Sequence, residues 1–156
     1  MEIDMTRINC VPPSELHDRF LVAEYHELPR IFGLVQKAII RGEEAEQYAR
    51  FDNYCMGAGH VKFFYTRLKW LADRQAFLIE EMLKRGMRPN FRNFEELFKG
   101  IPRAWFGDWV PTEEAMTVNR SRLNERFQEM SAKPKRKVLS IYDLENEGGS
   151  NGQEKK

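Results

Sequence analysis

Apolar residues in this chain recur at every third or fourth position and form no convincing alternating run, which confines the fold to packed helices. The clearest stripe is Val61, Phe64, Leu68, Leu71, Ile79, Met82 and Leu83, and Gly86 stands where a left-handed cap would end that helix. Arg67, Lys69, Arg74, Lys84 and Arg85 fall largely off the stripe. An earlier helix is expected to begin after Pro12-Pro13, with Ser14 as N-cap and Glu15 in its first turn. Leu16, Phe20, Ala23, Ile31, Leu34 and Ala38 give its period and Gly42 its stop. Pro29, which has no N–H, should kink it or interrupt its hydrogen bonds. A third helix should run from a Thr112 cap to about Met130, with Glu113 and Glu114 in the first turn. The stretch Met87 to Pro111 reads as irregular, with one short helix around Phe94–Lys99. It is rich in aromatics, Phe91, Phe94, Phe98, Trp105, Phe106 and Trp109, of which Trp105, Phe106 and Trp109 are more often core than base-stacking platforms. The expected class is all-α, a compact single domain of about three main helices with long irregular connections.

Length and charge narrow the function classes. With 156 residues, 42% of them hydrophobic and 31% charged, the chain can bury one core. No run approaches the roughly 18 apolar residues of a membrane span, and Glu2 and Asp4 stand where a secretory signal carries lysines. A cytoplasmic protein without a membrane partner is the expectation. Cys10 and Cys55 lack Cys-x-x-Cys spacing and read as reduced thiols. The net charge of +1 conceals two acidic ends, each of net charge −2 at 1–4 and 143–156, so that residues 5–142 carry +5. A modestly basic core suits a polyanion. His17, His26 and His60 make no ligand spacing with either cysteine, so neither a metal nor a cofactor is expected. Gly57-Ala58-Gly59 lacks the third glycine and preceding strand of a dinucleotide fingerprint. It is read instead as a close turn into the second helix, whose N-terminal amides could meet a phosphate.

One residue breaks the pattern. The first helix has an eight-residue gap between Ala23 and Ile31, and the position that fills it in register is Glu27. A carboxylate on an apolar stripe costs several kcal/mol unless it is paired, protonated or solvated in a cleft. His26 and Arg30 are its possible partners. A buried ion pair, a stripe bent at Pro29 and an active-site carboxylate all remain open on this ground alone.

Thr6-Arg7-Ile8-Asn9, Ser14-Glu15-Leu16, Ala23-Glu24-Tyr25, Glu27-Leu28-Pro29-Arg30 and Phe32-Gly33 occur in an order that resembles the pyrimidine dimer DNA glycosylases of the phage endonuclease V type. Gly57-Ala58-Gly59-His60-Val61, Phe63-Phe64-Tyr65, Leu83-Lys84-Arg85-Gly86, Ile101-Pro102, Gly107-Asp108 and Arg122-Leu123 continue the resemblance over roughly residues 5–130. It implies a glycosylase and abasic-site lyase that excises UV-induced cyclobutane pyrimidine dimers from double-stranded DNA as a monomer. The implied nucleophile is the α-amine of Thr6, and Glu27 is the acidic group that assists the sugar rearrangement. Arg7, His26, Arg30, Arg122 and Arg126 match DNA-contacting cationic positions. His26 stands where the family favours arginine, and Phe20 where it has histidine. Two rival readings are a catalytically silent DNA-binding protein of the same fold and a glycosylase for another damaged base.

The resemblance also bears on where the working chain begins. As written, the Thr6 nitrogen is a peptide amide, whose delocalised lone pair cannot attack. Residues 1–4 are therefore expected to be an extension foreign to the active form, with translation from Met5 and removal of that methionine. Residues 5–132 are the expected helical domain. Residues 133–156 form a tail that opens with the basic cluster Lys133-Pro134-Lys135-Arg136-Lys137, turns polar and Gly-rich from Asp143, and is expected to be disordered.

Overall fold

Among the described residues the chain forms six α-helices. These are α1 (Asp18–Glu27), α2 (Pro29–Ile40), α3 (His60–Phe63), α4 (Leu68–Lys84), α5 (Glu95–Phe98) and α6 (Glu113–Ala132), with single 3₁₀ turns at Pro13–Glu15, Ala45–Tyr48 and Arg103–Trp105. The computed structural model describes residues 7–90 and 95–132. Among these no strand forms, although Arg67 and Phe106 pair as an isolated antiparallel bridge. The class is all-α, as the periodicity implies. No helix among the described residues is long and apolar enough to cross a membrane. The chain divides into two compact units, Met1–Ser121 and Arg122–Lys156.

The helix ends follow local chemistry. Gly42 adopts φ +89° and Gly86 φ +84°, conformations that a Cβ disfavours. Each closes its helix with the same pair of bonds: Gly42 N–H to Ile39 O and Glu43 N–H to Ala38 O after α2, Gly86 N–H to Leu83 O and Met87 N–H to Met82 O after α4. Thr112 Oγ1 accepts the Ala115 N–H at 3.0 Å and caps α6. The first helix starts later than expected. Pro12-Pro13 turns the chain through a 3₁₀ element containing Ser14, and His17 becomes the N-cap, its Nδ1 accepting from Arg19 N–H at 3.1 Å.

Pro29 separates α1 from α2 by removing the N–H that would bond the Tyr25 carbonyl. That carbonyl finds another donor, because Gln75 Nε2 reaches it from α4 at 3.0 Å. Leu28 stays helical at the junction, and its N–H still bonds Glu24 O at 2.8 Å. Helix α1 packs on α2 and α4, and α2 packs on α5.

The apolar faces differ from the expected stripes by a fraction of a turn. In α1 the buried side chains are Leu21, Glu24 and Tyr25, while Ala23 is exposed and Phe20 half-buried. In α4 they are Leu68, Leu71, Arg74, Gln75, Leu78 and Met82, with Leu83 at the surface. Arg74 therefore belongs to the buried face, contrary to the sequence expectation. Of the described aromatics between α4 and α6, Trp105 is buried, while Phe98, Phe106 and Trp109 are half-buried. Trp105 packs on Tyr48 at 5.7 Å, and Trp109 stacks on Tyr54 at 5.6 Å with Phe63 against its edge at 5.0 Å. Phe91 and Phe94 lie outside the described residues.

Candidate active site

The N-terminal arm, residues 7–11, has no helix or strand of its own and runs through the core beside α1. Ile8 and Val11 are fully buried and Cys10 nearly so. A buried extended backbone must find partners for its N–H and C=O groups, and here side chains supply them. Ile8 N–H donates to His60 Nε2 at 2.8 Å, and Tyr54 Oη donates to Ile8 O at 2.7 Å. Cys10 and Val11 N–H both donate to Asn119 Oδ1, at 2.7 and 3.1 Å. Arg74 Nη1 donates to Val11 O at 2.7 Å.

At the head of this arm, Arg7 N–H points to Glu27 Oε1 at 3.4 Å. Glu27 is the last residue of α1, half-buried beside the break at Pro29. The arm and the carboxylate thus meet at the α1–α2 corner. His26 and Arg30 occupy the same corner and are exposed, the His26 ring lying edge-on to Tyr25 at 4.9 Å. Neither forms an ion pair with Glu27, so the partners suggested by the sequence are replaced by a backbone amide. Four of the seven expected site residues, Arg7, His26, Glu27 and Arg30, are brought together at this corner. Thr6 lies outside the described residues. Arg122 and Arg126 lie on α6 in the second unit, within reach of Glu125 at 3.5 Å and Glu129 at 4.0 Å respectively.

The carboxylate inside the helix packing is Glu24, not Glu27. Glu24 is 1% exposed and its partner Arg74 is 4% exposed. Arg74 Nε donates to Glu24 Oε2 at 2.8 Å and Nη2 to Oε1 at 3.1 Å, the two-pronged geometry that makes such pairs strong. Asn9 Nδ2 adds a third bond to the same carboxylate at 2.9 Å, and Asn119 Nδ2 donates to Asn9 Oδ1 at 2.7 Å. The fully buried charge on α1 thus stands one turn before Glu27, which is half-buried. The partners Asn9, Tyr54, His60, Arg74 and Asn119 carried no periodic signal. Only the quoted blocks containing Asn9 and His60 marked two of them.

His60 is held in one tautomer. Because Nε2 accepts from Ile8, the ring hydrogen sits on Nδ1 and is donated to Cys55 O at 2.7 Å. Gly59, in the left-handed region at φ +93°, delivers this residue as the first of α3, and a Cβ there would press on the Phe51 ring. The glycine pair is therefore a turn, as its spacing suggested, but it leads into the four-residue α3, which is separate from the long α4 and so divides the second helix expected from the stripe at 61–83. Burial pushes the Cys10 thiol up to about 11 and the neighbouring Tyr54 hydroxyl upward as well. Both stay protonated and neutral beside the arm.

Chemically, the corner offers one carboxylate at the end of a rigidly seated arm, flanked by two exposed basic side chains on a short segment. Among the described residues no three His, Cys, Asp or Glu side chains lie together as a metal site. A family model described as pyrimidine dimer DNA glycosylase matches residues 5–94, more than half of the chain. The match includes Thr6, Arg7, His26, Glu27 and Arg30, and it ends before Arg122 and Arg126. It also contains every partner of the arm except Asn119. On the strength of this match the chain belongs to the pyrimidine dimer DNA glycosylase family.

Proposed function

We propose that the protein excises UV-induced cyclobutane pyrimidine dimers from double-stranded DNA and then cleaves the strand as an abasic-site lyase, using the α-amine of Thr6 as nucleophile. The observation that supports this most is the 3.4 Å approach of Arg7 N–H to Glu27. Thr6 is joined to that same nitrogen by one peptide bond, so a chain beginning at Thr6 would present its amine close to a carboxylate. An α-amine, with an ordinary pKa of roughly 7.7–8.0, has a usable neutral fraction at pH 7, whereas a lysine near 10.4 does not.

In this reading the amine lone pair attacks C1′ of the deoxyribose, and the C1′–N bond to the base breaks with its electron pair leaving on the base. Loss of the amine proton and opening of the C1′–O4′ bond, with a proton delivered to O4′, give a Schiff base. Removal of a C2′ proton then expels the 3′ phosphate, and water releases the sugar fragment and restores the amine. Glu27 is the acid and base for these proton transfers, and its charge stabilises the cationic sugar and iminium. Arg7, His26, Arg30, Arg122 and Arg126 hold DNA phosphates around the lesion. The working protein is a monomeric domain of residues 5–132, made from Met5 with that methionine removed, and it acts at DNA. Residues 1–4 are foreign to it, and 133–156 are a tail.

Borohydride trapping on duplex DNA with one abasic site tests the chemistry. The form beginning at Thr6 should crosslink through its terminal nitrogen, and the full 156-residue form should not. Equal trapping by both forms, with the crosslink mapped to a lysine, would refute the terminal-amine mechanism. Cleavage of defined dimer and oxidised-base duplexes reads the lesion class directly.

A further inference from the structure

We infer that His60, with Tyr54, Asn119 and the Glu24–Arg74 pair, is a set of positioning residues that fixes the register of the N-terminal arm and so aims the attacking nitrogen at the substrate. This rests on the terminal-amine reading above and extends it to residues that touch no DNA.

The arm's apolar side chains alone would not set its register. Burial of Ile8 and Val11 is favourable but non-directional, and it tolerates small slides along the groove. Hydrogen bonds with narrow angular preference do not. Four buried or nearly buried side chains, drawn from four separate parts of the chain, grip five backbone groups between residues 8 and 11. The Asn9 side chain is held as well, between Glu24 and Asn119.

Toward the reacting end, Ile8 N–H is held at 2.8 Å by a histidine that is itself oriented by Cys55 O, while Arg7 N–H only approaches Glu27 at 3.4 Å. These are two consecutive backbone nitrogens, and the next one along is that of Thr6. His60 is therefore the last rigid anchor before the nucleophile. Its side chain is fully occupied in this task, with one ring nitrogen on each neighbour. A misplacement of about 1 Å in a reacting group costs on the order of 100-fold in rate, which gives such an anchor its catalytic weight.

The test uses the form beginning at Thr6. Each variant is measured for its single-turnover rate of borohydride-trappable imine at saturating abasic DNA, its Kd for duplex carrying a tetrahydrofuran abasic analogue, and its thermal midpoint. One glycine inserted between Arg7 and Ile8 leaves the anchors on residues 8–11 available while moving the terminal nitrogen by one residue. It should lower the trapping rate at saturating DNA about 100-fold with the thermal midpoint little changed, and the measured Kd separates any binding lost through the shift of Arg7 from the loss of rate. His60→Leu should lower the rate similarly. His60→Gln, which can accept from Ile8 through Oε1 and donate to Cys55 O through Nε2, should recover most of that loss. Trapping at the parent rate after the insertion, or a His60→Leu loss that only follows the unfolded fraction, would make the bracket merely structural and overturn the inference. A parent that fails to trap at all overturns the terminal-amine reading itself, before any variant is compared.

Discussion

Replacing Glu24 by glutamine should destabilise the protein by about 3–5 kcal/mol, because it leaves the buried Arg74 guanidinium without its counter-charge. The carboxylate accepts from Arg74 Nε at 2.8 Å, Arg74 Nη2 at 3.1 Å and Asn9 Nδ2 at 2.9 Å. A carboxamide of the same shape carries no charge and turns an N–H pair toward one of those donors. Two unit charges about 4 Å apart attract by about 4 kcal/mol at an effective dielectric of about 20, which agrees with the mutational range. A domain of this kind has a total stability of about 5–15 kcal/mol, so the single change removes a large share of it. Removing both charges as Glu24→Leu with Arg74→Met should cost less, about 1–3 kcal/mol, set by the Asn9 amide and Val11 carbonyl that lose their partners. Urea unfolding followed by far-UV circular dichroism measures both, at an unchanged m-value. A loss below about 1 kcal/mol for Glu24→Gln, or a double variant worse than the single, would refute the account of the pair as a compensated buried charge.

Glu27→Gln should keep its affinity for dimer-containing duplex and lose strand cleavage by about 10²- to 10⁴-fold, the range for a lost acid–base group; a folded, fully active variant would remove Glu27 from the chemistry. Arg122→Ala should reduce the slope of log K against log salt by about one unit, and an unchanged slope in a salt titration would place Arg122 away from the phosphates. The Cys10 thiol is raised from 9.0 to about 11, so its contribution to stability is whole below pH 9 and is lost as pH rises through about 11. At pH 8 a thiol reagent should therefore modify the half-buried Cys55 promptly and Cys10 only on unfolding, as mass spectrometry would read. Gly107→Ala should cost about 1–3 kcal/mol in the same urea assay, because a Cβ there would overlap the Thr66 carbonyl oxygen, and Gly107 O also accepts from Lys69 and Trp70 N–H at the start of α4.

What could be read from the sequence was what local chemistry decides. The period of three and four excludes strands. Gly42 and Gly86 end helices because they alone take a positive φ there, and Thr112 starts one because its hydroxyl meets an orphan N–H. Pro29 breaks a helix wherever it stands within one. Ordered blocks of residues pointed to the family, and with it to the corner where Glu27 lies. Which face of each helix turns inward was a different kind of question. In α1 two stripes a fraction of a turn apart, Leu16–Phe20–Ala23 and Leu21–Tyr25–Leu28, are both apolar enough to bury. The choice between them was made by α4, which presents Arg74 opposite Glu24 and so makes a charged position acceptable inside. The arm's partners were equally out of reach, since Tyr54, His60, Arg74 and Asn119 lie 46 to 109 residues away from the groups they bind. No local propensity encodes such bonds. They arise only when packing excludes water from the arm and leaves its backbone no other partner.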